Sequence, residues 1–514
     1  MRPPRSHHGT GGVDFPADCG KLTGVKRMEN AILERDIKFL DLKYSDLPGR
    51  LRHVTLPVEQ MEHAVKEGVG FDSSAVAGFR TVDAGDMILK PDLESAFVDP
   101  FAEAPTVSCF AEIYESDGKR RYERDPRAIL QRAIAALKKE THADEVMVRP
   151  EFEFYLFNKA EFWTDQSSAA YRIETDELKH DDPSGFSLFK GPAYHVAPPF
   201  DRSSDFRSEL SLLMAHCGVP VKYHHHEGGR YSQVEVEPVF MPAMRSADGI
   251  MLSKYLVRNL AFKHDKSATF MPKPIFGEAG SGMHLHMYLQ GTEGSRGQGS
   301  GGSGRRCPTG AAEANPGTPE PRNPCPTSLF GDDKGVARLS KLALHYIGGI
   351  LNHAPSLCAL TNPSTNSYRR LVPGYEAPVL VFFSVANRTA AIRIPGYVTK
   401  AAEMAIEYRI PDATANPYLS LAAVLMAGLD GIRTKADPGK PLSGRLDSLD
   451  LGKKAVPFSL VRALDELRSD SGYLTHDGVF SKETIDKWVE LKMDEVEAVA
   501  RRPHPWEFSL YYGC

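Results

Sequence analysis

Arg149-Pro150-Glu151-Phe152-Glu153-Phe154-Tyr155-Leu156-Phe157 is the stretch on which the reading of this chain turns. Its aromatic residues favour a strand, and on a strand side chains two apart share a face. Glu151 and Glu153 therefore point the same way, while Phe152 and Phe154 pack behind them. Two neighbouring carboxylates repel unless they are protonated or shared by cations. A solvated polar strand face would also carry them, so this segment alone leaves both readings open.

The same spacing recurs. Gln233-Val234-Glu235-Val236-Glu237 sets a second carboxylate pair on one strand face, shortly after His224-His225-His226-Glu227. Three consecutive histidines suggest zinc, but consecutive strand positions face opposite ways and cannot all bind one ion. Gly280-Ser281-Gly282-Met283-His284-Leu285-His286 is a glycine turn feeding a strand with two histidines on one face, and Ile406-Glu407-Tyr408-Arg409 pairs a carboxylate with an arginine. Several carboxylates with a histidine suit Mg²⁺ or Mn²⁺ better than zinc. Arg369, Arg370, Arg388 and Arg393 supply the complementary charge. Arginine in an apolar strand context binds a carboxylate or phosphate through paired N–H groups, or closes a structural salt bridge. Metal ligands and arginines without a Walker-type Gly-Lys loop point to phosphoryl transfer on a sheet platform.

Around these motifs the chain is an ordinary globular sequence. It has 514 residues, 41% hydrophobic and 25% charged, with a mean hydropathy of -0.33. Length alone allows about three domains. Lys+Arg number 62 against 67 Asp+Glu, a net charge of -5, which argues against a nucleic-acid partner or an acidic tail. No apolar run nears the roughly 20 residues that span a bilayer, so no membrane partner is expected. The N-terminus has no signal-peptide core. Seven scattered cysteines without a C-x-x-C pair fit reduced thiols in a cytoplasmic protein, not a disulfide framework or zinc site.

Residues 1–27, rich in Gly, Pro and His, read as a disordered leader; Met28, where a short helix opens, is an alternative start of translation. Ile37–Leu42 and Arg52–Pro57 alternate like paired strands joined across Pro48-Gly49. They begin a small sheet-containing domain, residues 28–125. A helix through Ile129, Ala133 and Leu137 then opens a second domain, residues 126–514. Within it, residues 291–328 are Gly-, Ser- and Pro-rich and read as a disordered surface insertion.

Taken with the motifs above, Phe71-Asp72-Ser73-Ser74, Asp86 to Asp92, Ala268-Thr269-Phe270-Met271-Pro272-Lys273-Pro274, Asn362 to Pro378 and Pro411 to Tyr418 give the chain a family likeness. The sequence resembles a type I glutamine synthetase from about Met28 to Tyr512. The resemblance implies an α+β fold, with a small β-grasp N-terminal domain and a large antiparallel-sheet catalytic domain. It also implies a double-ring homododecamer with active sites shared between subunits. The segment Pro503-His504-Pro505-Trp506-Glu507 resembles the tail that docks onto the opposing ring.

The implied activity is ATP-dependent ligation of glutamate and ammonia to glutamine through γ-glutamyl phosphate. Glu151, His284 and Glu407 match one metal site; Glu153, Glu227 and Glu235 match the other, for Mg²⁺ or Mn²⁺. His286, Tyr288, Arg388 and Arg393 match ATP contacts, Arg388 also counting as catalytic. Ala279, Gly280, Arg370 and Arg409 match the glutamate and transferred-phosphate contacts. Glu376 matches the flap carboxylate over the site. Asp72 matches the residue that binds and deprotonates ammonium, with Tyr194 nearby.

The chain departs from the family pattern in several places. Ser73 stands where the family has glycine after the aspartate, and Ala279 where an asparagine is frequent. Lys222 replaces an acidic residue near the nucleotide, and Ala405 an arginine. Asp447 occupies the position of the adenylylatable tyrosine of regulated members, so that regulation is not expected here. A γ-glutamyl ligase for a polyamine or other amine is the alternative within the fold, and a non-catalytic ring-forming homologue the alternative outside catalysis.

Overall fold

The computed structural model describes residues 36–178, 184–188, 193–291, 327–374, 377–443 and 455–514. The expected leader, residues 1–27, the Glu29–Glu34 helix, Glu376 and Asp447 lie outside the described residues.

The first sheet contains β1 (Phe39–Ser45), β2 (Leu51–Pro57), β3 (Val69–Asp72), β4 (Asp86–Pro91), β5 (Phe97–Val98) and β6 (Thr106–Glu115), ordered β2-β1-β6-β4-β3 with β5 on β6. β1 and β2 form the antiparallel pair expected from their alternation. β1 runs parallel to β6. The turn between β1 and β2 depends on Gly49, whose φ is +96° and whose Cα faces Asn416 so closely that an added Cβ would lie 2.8 Å from the Asn416 Cα. Only glycine fits both conditions. Asn416 returns the contact, donating from Nδ2 to the Leu47 carbonyl at 3.0 Å, while its Oδ1 caps the helix Pro417–Thr434 by accepting from the Tyr418 amide.

The helix Pro126–Thr141 begins as its sequence directs. The Asp125 side chain accepts from the Arg127 amide and Pro126 occupies the first turn. Ile129, Ala133 and Leu137, one face of it, are fully buried.

The second sheet is built on β7 (Glu145–Phe157), after which come the exposed hairpin β8 (Lys159–Thr164) and β9 (Ala169–Glu174). Its other strands are β10 (Val221–His226), β11 (Gln233–Pro238), β12 (Met241–Pro242), β13 (Ser267–Thr269), β14 (Met283–Gly291), β15 (Thr327–Ser328), β16 (Leu380–Val385), β17 (Ala390–Ile394) and β18 (Ile406–Tyr408). The order is β10-β11-β7-β14-β18-β17-β16, with β12 and β13 on β7 and β15 on β14. All pairs are antiparallel except β16–β17, which is parallel and corrects the expectation of an antiparallel sheet at that edge. The long helices Ala243–Lys263, Lys341–Thr361 and Pro417–Thr434 contribute to the same core. These two units, not the three that length allows, organise the described residues.

β15 also trims the expected insertion. Ser328 and Thr327 pair with Gln290 and Gly291, and both are buried. Ordered sheet therefore extends to each edge of residues 292–326, which lie outside the described residues.

A buried ion cluster ties the units together. Arg127 reaches Asp248 at 2.9 Å and Asp92 at 2.6 Å, and the Tyr418 hydroxyl donates to Asp248 at 2.7 Å. Among the described residues no helix is long and apolar enough to cross a membrane. Cys109, Cys217 and Cys358 are buried thiols outside any disulfide, and Cys514 is an exposed one.

Candidate active site

The alternation of β7 separates its two jobs. Phe152 and Phe154 are buried in the core, Phe154 against Phe270 at 5.2 Å. Glu151 and Glu153 face the other side, where registry brings partners to them. His284 on β14 lies opposite Glu151, and Glu235 on β11 opposite Glu153. His286 pairs across β14–β18 with Glu407. Strand pairing alone thus gathers residues from four separated segments.

Donor atoms of Glu153, Glu227 and Glu235 lie within 4.8 Å of one another, as do those of Glu151, His286 and Glu407, and of Glu151, Glu153 and His284. Burial, followed by the charges of Glu153 and Glu235, pushes the Glu227 carboxyl up to about 9. Burial and the neighbouring Glu151 and Glu153 likewise raise Glu235 well above the usual carboxylate range. Buried oxygen ligands that cannot all ionise by themselves are the donor set of a hard divalent cation. At Glu151 burial is outweighed by His284, 2.8 Å away, and by His286 at 3.0 Å, and its carboxyl lies well below the usual range. The expected set Glu151, His284 and Glu407 is brought together, His284 Nδ1 lying 3.9 Å from Glu407, and His286 joins Glu151 and Glu407 beside it.

Arginines close the other side of the cluster. Arg393 and Arg409 each ion-pair with one oxygen of Glu407, whose carboxyl is held at about 2 because Arg409 and His286 outweigh its burial. Arg409 Nε donates to the Arg388 carbonyl at 3.1 Å, and the Arg388 guanidinium lies 5.7 Å from the Tyr194 ring. Buried Arg370 donates to the carbonyls of Ile410 at 2.7 Å and Arg409 at 3.1 Å. Among the described residues, two buried polar atoms of this group, His286 Nδ1 and Arg393 Nε, have no partner. They leave hydrogen-bonding capacity for a polar ligand.

The glycine turn predicted before β14 matters for contact. A Cβ on Gly282 would lie 2.6 Å from Arg370 Nη2 and 2.8 Å from His284 Nε2. The turn is fixed from below: the Tyr155 hydroxyl donates to the Ala279 carbonyl at 2.6 Å, and Gln233 donates from Nε2 to the Gly280 carbonyl at 3.1 Å. Gln233 also reaches Glu153 at 3.4 Å and accepts from the Gly229 amide at 2.7 Å. Sequence reasoning missed Gln233, whose partner lies 47 residues away.

The remaining residues keep the faces that spacing suggested and add partners of their own. Donor atoms of Glu235 and Glu237 lie within 4.8 Å of each other and of Glu151, and Glu237 is also engaged by Arg149 at 2.6 Å and Lys222 at 3.3 Å. The three histidines separate: His225 Nε2 is 3.2 Å from Glu235, His226 Nε2 is 3.0 Å from Glu177, and His224 Nδ1 accepts from Arg207. Tyr194 stacks on His195 at 4.0 Å. Tyr288 meets Phe240 edge-on at 5.0 Å.

Asp72 ends β3 in the first sheet, exposed, and accepts from the Ser74 amide at 2.8 Å. Those Ser74 hydrogen bonds hold its carboxyl below the usual range. Ser73, the departure from glycine, has no positive φ. Its amide and its hydroxyl both donate to the Gly85 carbonyl at 2.8 Å. The backbone here does not require glycine, and serine adds an anchor.

The two sheets match two family models: "Glutamine synthetase, beta-Grasp domain" over residues 36–116, and "Glutamine synthetase, catalytic domain" over residues 123–298 and 326–511. Fold and domain order thus define a two-domain, sheet-platform protein of this class. The chain belongs to the glutamine synthetase family. It is 39% identical over 495 residues to a glutamine synthetase of Streptomyces filamentosus, covering 94% of this chain and 98% of the relative. It is 40% identical over 502 residues to one of Vibrio alginolyticus, covering 95% and 99%. The fold is also that of a Plasmodium falciparum glutamine synthetase structure, with a TM-score of 0.82 at 22% identity over 96% of this chain and 99% of that one.

Proposed function

We propose that the protein ligates L-glutamate and ammonia to L-glutamine at the expense of ATP. The observation that carries this reading is the convergence of five buried or half-buried glutamates and two histidines with Arg370, Arg393 and Arg409. That set suits a reaction in which a phosphoryl group passes to a carboxylate.

Glu151, His284 and Glu407 would hold one divalent cation, Mg²⁺ or Mn²⁺, and Glu153, Glu227 and Glu235 another. The raised carboxyls of Glu227 and Glu235 support this, since burying them without a cation is unfavourable. Bound cations would neutralise charge on the phosphoryl oxygens.

In our reading the chain's own groups do the rest. Arg388, Arg393, His286 and Tyr288 take the nucleotide, the unpartnered Arg393 Nε and His286 Nδ1 being free to meet it. Arg370, with the backbone of Ala279 and Gly280, orients glutamate. Arg409 turns toward the transferred phosphoryl group. The γ-carboxylate oxygen attacks the γ-phosphorus of ATP, the bond to ADP breaks, and the poor acylating agent becomes an acyl phosphate. Asp72 takes a proton from ammonium, with Tyr194 beside the acceptor position. Ammonia then attacks the γ-carbonyl carbon, the bond from that carbon to the phosphate-bearing oxygen breaks, and phosphate leaves with the carboxylate oxygen and one proton from the nitrogen. Glu376, outside the described residues, is by family likeness the carboxylate that would keep water from the acyl phosphate.

Asp72 lies exposed on the N-terminal sheet, which supports its acting on a neighbouring copy's site in a homo-oligomer, a dodecamer by family likeness. The buried cysteines, none in a disulfide among the described residues, support a cytoplasmic setting.

The test is phosphate release from ATP with Mg²⁺ and glutamate, with ammonium compared against a panel of amines and polyamines. Ammonium-dependent release with glutamine formed is the expected result. Release with an amine alone, or with no acceptor at all, would overturn the reading.

A further inference from the structure

Between the β1–β2 hairpin and the helices Ala243–Lys263 and Lys482–Ala500 lies a cavity of about 780 Å³, a volume typical of small-molecule sites. None of the residues assigned above to metal, nucleotide, glutamate or ammonium lines it. Of the six lysines and arginines that line it, three are paired. Lys43 lies 2.6 Å from Asp41 and 3.4 Å from Asp99, Arg52 lies 2.9 Å from Asp46, and Lys492 lies 2.9 Å from Glu495.

Lys254 and Arg258 differ. They stand four residues apart on one helix and so share a face. Lys254 is only 8% exposed, and its ammonium, with three protons to donate, has the Ala415 carbonyl at 3.3 Å. Arg258 lies over the Phe270 ring at 5.5 Å and forms no ion pair among the described residues. Burial, with Arg258 adding to it and the charge of Asp412 opposing it, holds the Lys254 ammonium down to about 7. Neither side chain forms an ion pair among the described residues, so the two neighbouring groups leave N–H donors and positive charge on the cavity wall for an anion. Met251, Phe270 and Met271 supply apolar wall beside them.

We propose that this cavity is a second ligand site, which holds a small organic molecule through a phosphate or carboxylate group paired with Lys254 and Arg258. The apolar wall covers the body of the molecule. Lys43, Arg52 and Lys492 are paired and Arg50 is exposed, which leaves the anion to Lys254 and Arg258.

The test uses the full chain with its active site saturated by ADP and Mg²⁺. Binding of inorganic phosphate, glucose 6-phosphate and succinate is measured by calorimetry on the wild type, Arg258→Gln and Lys254→Met. At least one probe binds the wild type, and each substitution weakens it about tenfold, as loss of a charge-assisted hydrogen bond should. Preference among the three separates a phosphate from a carboxylate ligand. Should Lys254→Met fail to fold, Arg258→Gln decides alone. No binding of any probe to the wild type, or binding by Arg258→Gln equal to wild type, overturns the proposal.

Discussion

His284 stands directly across the β7–β14 ladder from Glu151, with its Nδ1 2.8 Å from the Glu151 Oε1. The contact is a consequence of register: a slip of one residue would turn every side chain of β14 to the other face. Glu151 is thus fixed by strand pairing and not by its local sequence. Glu151→Ala should lower glutamine formation by at least about a hundredfold while leaving assembly and circular dichroism unchanged. Turnover near wild type would remove Glu151 from the metal site.

Gln233 is a positioning residue. It links Glu153 to the turn at Gly280 and Ser281 through one amide. In Gln233→Leu that amide is lost at similar volume, and the turn beside Arg370 loosens. The KM for glutamate should rise about tenfold, as for other residues that support a ligand shell, with a smaller change in kcat. An unchanged KM with lowered thermal stability would mark Gln233 as structural only.

Asp248→Ala leaves Arg127 buried with Asp92 as its remaining carboxylate partner and removes the acceptor of the Tyr418 hydroxyl. Breaking such a buried pair costs about 3–5 kcal/mol. The denaturation midpoint should fall clearly, and Arg127→Met combined with Asp248→Leu should recover part of the loss. A single variant as stable as wild type would show that the cluster does not hold the units together.

His353 is wedged between Asp430 at 3.0 Å and Asp470 at 2.8 Å. Burial disfavours its charge, but the hydrogen bonds that its ring N–H groups donate to Asp470 and Asp430 outweigh it and its pKa is raised. The folded state therefore binds the proton more tightly than the unfolded chain. Its stabilising effect is complete below the unfolded value of about 6.5 and is lost as pH rises through the higher folded value. The stability advantage of wild type over His353→Gln should shrink as pH is raised above about 6.5. An advantage constant across that window would contradict it.

Local pattern made the strands of β1 and β2, the helix Pro126–Thr141 and the faces of Glu151 and Glu153 legible, because each is set by alternation or helical spacing. Which partner each face meets was not legible. Glu237 goes to Arg149 because β7 and β11 pair across some eighty intervening residues, and nothing in Gln233-Val234-Glu235-Val236-Glu237 distinguishes it from Glu235. The same holds for His286, which meets Glu151 and Glu407 through two different ladders. Gln233 gave no signal, since a neutral amide among carboxylates reads as filler until its contacts are known. Ser73 looked like a lost glycine, yet its backbone sits where any residue fits.

The central claim is that the γ-carboxylate of glutamate, not water or ammonia, receives the phosphoryl group. Glutamate labelled with ¹⁸O in that carboxylate tests it directly, with mass analysis of the phosphate released during ammonium-dependent turnover. The account predicts one labelled oxygen in each phosphate for every glutamine formed. Phosphate free of label would contradict it.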